Sequence, residues 1–126
     1  MNGYLINIEQ KTLDNQYFRE VLYTTKRSQF VVMTLQPQEE IGMEVHEDHD
    51  QFIRIEMGQG KAFLDGEEHF LEDGSALVIP AGTEHNIINT SATHPLRLYT
   101  LYTPPEHAQG TIHKTKQEAQ EAQKEE

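Results

Sequence analysis

Sixteen consecutive residues, Gly74 to Asn89, set the tightest limit on what this chain can fold into. They read Gly-Ser-Ala-Leu-Val-Ile-Pro80-Ala-Gly82-Thr-Glu-His85-Asn-Ile-Ile-Asn89. Asp73-Gly74 is a turn signal, Ala76 to Ile79 a short apolar strand, and Pro80-Ala81-Gly82 a sharp corner. A further strand near Glu84 to Asn89 follows, with His85 close to the corner. Proline stiffens such a corner and glycine permits it, so the stretch reads as strand, corner and strand.

The flanking sequence has the same character. Tyr17 to Thr24 and Gln29 to Leu35 are rich in β-branched and aromatic residues, with Lys26-Arg27-Ser28 as a turn. Pro37 to Gly42 breaks the pattern. Gln51 to Met57 alternates, with Ile53, Ile55 and Met57 on one face and Arg54 and Glu56 on the other. Asp65-Gly66 between Lys61–Leu64 and Glu68–Leu71 is a hairpin signal. Leu96 to Tyr102 is the last long strand, because Pro104-Pro105 cannot donate to a ladder. Thr115 and Glu118 have capping-box spacing before a helix with almost no apolar stripe, expected to be short and exposed. Short strands at this spacing predict an all-β sandwich or barrel, and periodicity leaves the two open.

Composition narrows the function classes. A chain of 126 residues permits one core, and no repeat or second unit is visible, so residues 1–126 are expected to form a single domain. Its barrel core is expected at about 17–103 and its tail and helix at about 104–126. The net charge of −11 argues against nucleic acid and against an anionic membrane surface. Glu118, Glu121, Glu125 and Glu126, opposed by Lys124, read as a solvated tail. There is no apolar run of transmembrane length, the start Met1 to Ile6 lacks signal-peptide character, and there is no cysteine. A cytoplasmic location is the expectation.

The spacing of Gly74, Pro80, Gly82, His85 and Asn89 resembles the second sequence motif of the cupins. That resemblance covers residues 30 to 103 well. It implies a cupin-type double-stranded β-helix, a jelly-roll barrel that usually holds one metal ion, here with a short C-terminal helix. The first cupin motif is Gly, five residues, His, one residue, His, three or four residues, Glu, six residues, Gly. With its last glycine at Gly58, the carboxylate slot falls on Gln51, the histidine slots on His46 and Glu44, and the opening glycine on Gln38. Anchoring at Gly60 instead puts Ile53, which cannot coordinate, in the carboxylate slot.

The expected metal ligands are therefore Glu44, His46, Gln51 and His85. Glu44 and His46 are two apart, so on a strand both side chains leave the same face. If Gln51 points inward, so do Ile53, Ile55 and Met57, giving a polar ligand above an apolar lining. Two imidazoles, a carboxylate and an amide oxygen depart from the three-histidine, one-glutamate set of many cupins. They suit one divalent transition metal, Mn, Fe(II), Co, Ni or Zn, bound more weakly than by that set. Four protein ligands on an octahedral ion leave two open positions.

Of the remaining histidines, His49 in the acidic turn reads as solvated and, failing that, as a proton shuttle or alternate ligand. His69 and His94 read as surface, and His107 and His113 belong to a tail that either covers the pocket or stays on the surface. Asn89 is expected to brace the turn near the site through its amide. The resemblance implies a metal-dependent enzyme of dioxygenase or isomerase type acting on a small oxygen-rich molecule. Two alternatives stay open: a barrel that binds or senses a small molecule without catalysis, and a purely structural site. Cupins commonly form homodimers, and the outward-facing Phe52 fits such a contact.

Overall fold

The computed structural model describes residues 2–124; Met1 and the acidic pair Glu125 and Glu126 lie outside the described residues. The chain order is α1 (Ile8–Asp14), β1 (Arg19–Thr24), β2 (Gln29–Leu35), β3 (Asp50–Met57), β4 (Gly60–Leu64) and β5 (Glu67–Leu71). β6 (Ala76–Ile79), β7 (His85–Asn89), β8 (Leu96–Thr103), β9 (Ile112–His113) and α2 (Lys116–Lys124) follow. Two antiparallel sheets form: a six-stranded one in the order β6-β3-β8-β2-β1-β9 and a three-stranded one in the order β5-β4-β7. The expected all-β architecture with a short C-terminal helix is therefore the observed one.

The alternation read in the sequence is the burial pattern. Ile53 and Ile55 of β3, Val31, Met33 and Leu35 of β2, and Leu96 and Leu98 of β8 have essentially no exposed surface and form one core. Burying each aliphatic side chain contributes about 1.5–3 kcal/mol. Apolar packing gives way to polar residues at one end of the same inward rows. There β2–β8–β3–β6 register sets Gln29 opposite Tyr102, Tyr102 opposite Gln51, and Gln51 opposite Ile79. Gln29, Tyr102 and Gln51 are all buried.

Turn chemistry accounts for the connections. Asp65 and Gly66 both have positive φ, 48° and 84°, as a tight type I′ hairpin requires. At the Pro80 corner, Thr83 N–H donates to the Pro80 carbonyl and Gly82 has φ 85°. Gln38, in the slot where the cupin pattern carries glycine, has φ 64°. Pro37 precedes it and Glu39 N–H closes the turn on the Gln36 carbonyl, so a type II turn keeps glycine's conformation without glycine.

Three features differ from the sequence reading. Helix α1 is an addition to the expected elements; its signal is Asn7, whose side chain caps the Gln10 N–H at 2.9 Å. Residues 39–46 are not a strand but an irregular segment beside β7, joined by bridges Glu40–Ile88 and Glu44–His85. Helix α2 is capped by Thr115 as expected, yet its Ala119 packs on the core rather than standing clear of it. No helix among the described residues is long and apolar enough to cross a membrane.

Candidate metal centre

Glu44 and His85 exchange both backbone hydrogen bonds, at 2.8 and 2.9 Å, which sets their side chains next to each other. Two residues on, the His46 carbonyl accepts from Gly82 N–H at 2.8 Å. The corner read from the sequence thus fixes the irregular segment and brings its residues to His85. Ligand atoms of Glu44, His46 and His85 lie within 4.8 Å of one another, a grouping able to hold a metal ion. Three of the four expected residues are brought together in this way.

Gln51, the fourth, is buried in β3 opposite Tyr102 of β8, whose ring neighbours that of His46. Its amide Nε2 donates to Thr100 Oγ1 at 3.0 Å, and Thr100 gives its only hydroxyl proton to the Phe52 carbonyl at 2.8 Å. Thr100 must therefore accept from Gln51, which fixes the amide's orientation. The oxygen Oε1 is left buried with no hydrogen-bond partner.

The imidazoles are arranged for donation as well. His85 is 3% exposed, and its Nδ1 lies 2.9 Å from the Thr83 carbonyl. A carbonyl only accepts, so Nδ1 carries a proton, and Nε2 is the nitrogen left to donate a lone pair to an ion. His46 Nε2 is buried without a hydrogen-bond partner, 3.6 Å from Glu44 Oε2. Burial, reinforced by His49, His85 and Arg19, pushes the His46 pKa down to about 4, so its ring is neutral near pH 7. Burial holds the Glu44 carboxyl above its ordinary value; Arg19 and His85 oppose that, and Glu106 adds to it. Orphaned buried acceptors and the neutral His46 ring next to a carboxylate fit a cation.

His49 corrects the sequence reading. Its side chain is 9% exposed, its ring lies 4.6 Å from that of His46, and its Nε2 stands 2.8 Å from Glu106 Oε2. His46, His49 and Glu106 form a second grouping of ligand atoms within 4.8 Å, sharing His46 with the first. The tail therefore folds over the site. Gln29, 1% exposed, fastens it: Nε2 donates to the His107 carbonyl at 2.7 Å, and Oε1 accepts from the N–H groups of Glu106 and His107. β9 then pairs with β1, setting Arg19 opposite His113.

Tyr102 and Arg19 join the site without any signal in the sequence pattern. The Tyr102 ring meets those of His46, His49 and His107 edge-on, with centroids 6.0, 5.7 and 5.3 Å away. Burial raises its phenol pKa, so it stays a neutral donor. Burial, with Arg19 next in effect, pushes His107 down to about 3. A cavity of about 570 Å³ opens beside the cluster, with Glu44 in its wall and α2 along its far side. His69 and His94 are exposed, as expected. Asn89 braces the opposite end of β7 from His85, donating to the Leu35, Gln36 and His94 carbonyls; the bracing role is as expected, but its place is away from the site.

Two facing antiparallel sheets with a histidine–carboxylate cluster at one end define a jelly-roll barrel with a candidate metal centre. The chain belongs to the cupin family, whose domain model matches residues 31–102. It is 47% identical over 113 residues to the uncharacterised protein L612 of Acanthamoeba polyphaga mimivirus, covering 86% of this chain and 70% of that protein. It is 44% identical over 122 residues to the uncharacterised protein YrkC of Bacillus subtilis, covering 92% of this chain and 65% of that one, slightly under two thirds of its length. The crystal structure of BH2720 from Bacillus halodurans is similar at 40% identity with a TM-score of 0.91, covering 94% of this chain and 93% of that one. KdgF from Halomonas sp. shares the fold at 22% identity, with a TM-score of 0.69 and coverage of 84% and 96%.

Proposed function

We propose that this single-domain cupin binds one divalent transition metal through Glu44, His46, His85 and the Gln51 oxygen, and acts on a small oxygen-rich molecule entering the adjacent cavity. The observation that carries this reading is the Gln51 amide: Thr100 turns its nitrogen away and leaves Oε1 buried without a partner. A buried acceptor left unpaired costs about 1–3 kcal/mol, a penalty that coordination of a cation removes. When bound, such an ion supplies Lewis acidity toward a carbonyl or enediol, or a place for oxygen, which are the isomerase and dioxygenase chemistries.

The chain's own residues supply the rest. His85 is held in its donating tautomer by Thr83. Tyr102, kept protonated by burial, offers a hydroxyl proton to the wall of the site. Glu106 stands 2.8 Å from His49 and 3.6 Å from His46 Nδ1, positioned to accept protons from either ring. The tail over the site, fastened by Gln29, keeps bulk water from that side. A barrel that binds a small molecule without turnover has the same ligands, and metal-dependent conversion of a substrate separates the two.

Open coordination is tested by the water-proton relaxation of Mn(II)-loaded protein. Exchangeable inner-sphere water, seen as enhanced relaxation, is expected. Its absence, with manganese bound, identifies a closed structural site and overturns the catalytic reading.

A homodimer belongs to the same proposal. Register sets Val78 beside Phe52, Phe52 beside Leu101 and Leu101 beside Phe30 on the outer face of the larger sheet, and Val78 is 62% exposed. Such an apolar row suits a second copy of the chain. Sedimentation should give a dimer that Val78→Glu dissociates; a monomeric wild-type protein rejects it.

A further inference from the structure

Arg19 is a cation placed where cations are not left alone. It begins β1 with the same parity as the core residue Val21, is 8% exposed, and lines the cavity beside Glu44, Glu106 and His107. Its guanidinium stacks over the Phe18 ring, 5.2 Å from the centroid, and Nη1 lies 3.1 Å from His113 Nδ1. Its Nε is buried with no hydrogen-bond partner. Among the described residues, no carboxylate oxygen lies within ion-pairing distance of it. Guanidinium stays charged at any physiological pH, and buried charges in folded proteins are paired. An arginine nine-tenths buried at a cavity wall, with no anion paired to it among the described residues, is built to receive one.

We infer that Arg19 is the anchor for the carboxylate of a small organic acid, which fills the cavity with a neighbouring oxygen turned toward Glu44, His46 and His85. This rests on the metal site proposed above, in which the charge of Glu44 is taken up by the ion and leaves Arg19 unmatched. The charge of the cavity selects the ligand. Among the described residues its other fixed cation is Lys116, while Glu40, Glu44 and Glu106 also line it, so a single negative charge suits it and a doubly charged phosphate does not. The planar fork of a guanidinium matches a carboxylate with two parallel hydrogen bonds, and the free Nε is one half of that fork. Arg19 also lies close enough to the cluster for its charge to act on Glu44, His46, Tyr102 and His107. A molecule anchored there is therefore within reach of the candidate centre.

The test is calorimetric titration of Mn(II)-loaded protein with pyruvate, 2-oxohexanoate and phenylpyruvate, with their methyl esters and inorganic phosphate as comparisons. Manganese content is measured on the same samples. At least one free acid should bind, and its ester and phosphate should bind at least about tenfold more weakly, as loss of a charged hydrogen-bonded pair implies. Arg19→Met should weaken the acid by about tenfold to a hundredfold with manganese content unchanged, and Arg19→Lys should recover part of the loss. Acid and ester binding equally, phosphate binding more tightly, or none of the acids binding while manganese is retained would each overturn the Arg19 assignment. The ester comparison uses wild-type protein, so it decides the matter even where Arg19→Met fails to fold. If wild-type protein takes up no manganese, the titration is run with Zn or Ni, and failure to take up any of the three overturns the metal site instead.

Discussion

Gln51 of β3 and Thr100 of β8 meet diagonally, Gln51 standing opposite Tyr102 and Thr100 opposite Ile53, and the hydroxyl of Thr100 decides which end of the Gln51 amide is tied down. Thr100 gives its proton to the Phe52 carbonyl at 2.8 Å and accepts the amide nitrogen at 3.0 Å. Replacing Thr100 by valine keeps the volume and removes the orienting acceptor. Thr100→Val should lower manganese affinity about tenfold or more, as loss of an outer partner of a metal ligand does. It should also cost about 1–3 kcal/mol of stability, because the amide nitrogen is left unpaired. Metal titration and urea unfolding measure the two; unchanged affinity shows that Gln51 is not a ligand.

The tail depends on Gln29. Gln29→Leu removes the amide that binds the His107 carbonyl and the N–H groups of Glu106 and His107. Amides over residues 106–110 should then exchange faster with deuterium while those of β2, β3 and β8 stay protected, at a global cost of about 1–3 kcal/mol. Unchanged exchange in the tail rejects the clamp.

Acid should destabilise the metal-free protein. His46 and His107 have folded pKa values of about 4 and about 3, below the 6.5 of the free side chain, so the unfolded chain binds more protons below pH 6.5. Their contribution is complete above pH 6.5 and is lost as pH falls through 6.5 toward 4. The raised Glu44 pKa acts the other way in the window just above 4.5, on one group against two. The thermal midpoint should therefore fall between pH 7 and pH 5. A flat or rising midpoint over that range contradicts the burial of these rings.

Legibility in the sequence follows the range of the interaction. Gly82 and His85 are readable because a corner and the strand after it are local, and Asp65-Gly66 because its turn is set by two residues. Motif spacing points to Glu44, His46 and Gln51, and the structure groups the first two with His85, but two residues sharing one strand face is the wrong reason for that pair. An irregular segment holds Glu44 through His85 and His46 through Gly82. Gln38 breaks the motif in letters and keeps it in conformation, with φ 64°. Glu106 and Arg19 escape the sequence as members of the site, and His49 enters it only as the less favoured of two readings, because their placement depends on the tail crossing back. That path is fixed by Gln29 bonding residues 77 and 78 positions away, which no local pattern encodes. Tyr102 becomes visible only once register sets it between Gln29 and Gln51.

Glu44, His46, Gln51 and His85 are assigned together to one divalent ion, and metal content tests that assignment most directly. The measurement uses untagged protein purified without chelators, beside a His46→Ala/His85→Ala variant. Near one transition-metal ion per chain is expected in the wild type and none in the variant. No metal in the wild type, even after incubation with Mn, Fe(II), Ni and Zn, or equal metal in the two proteins, would contradict the assignment.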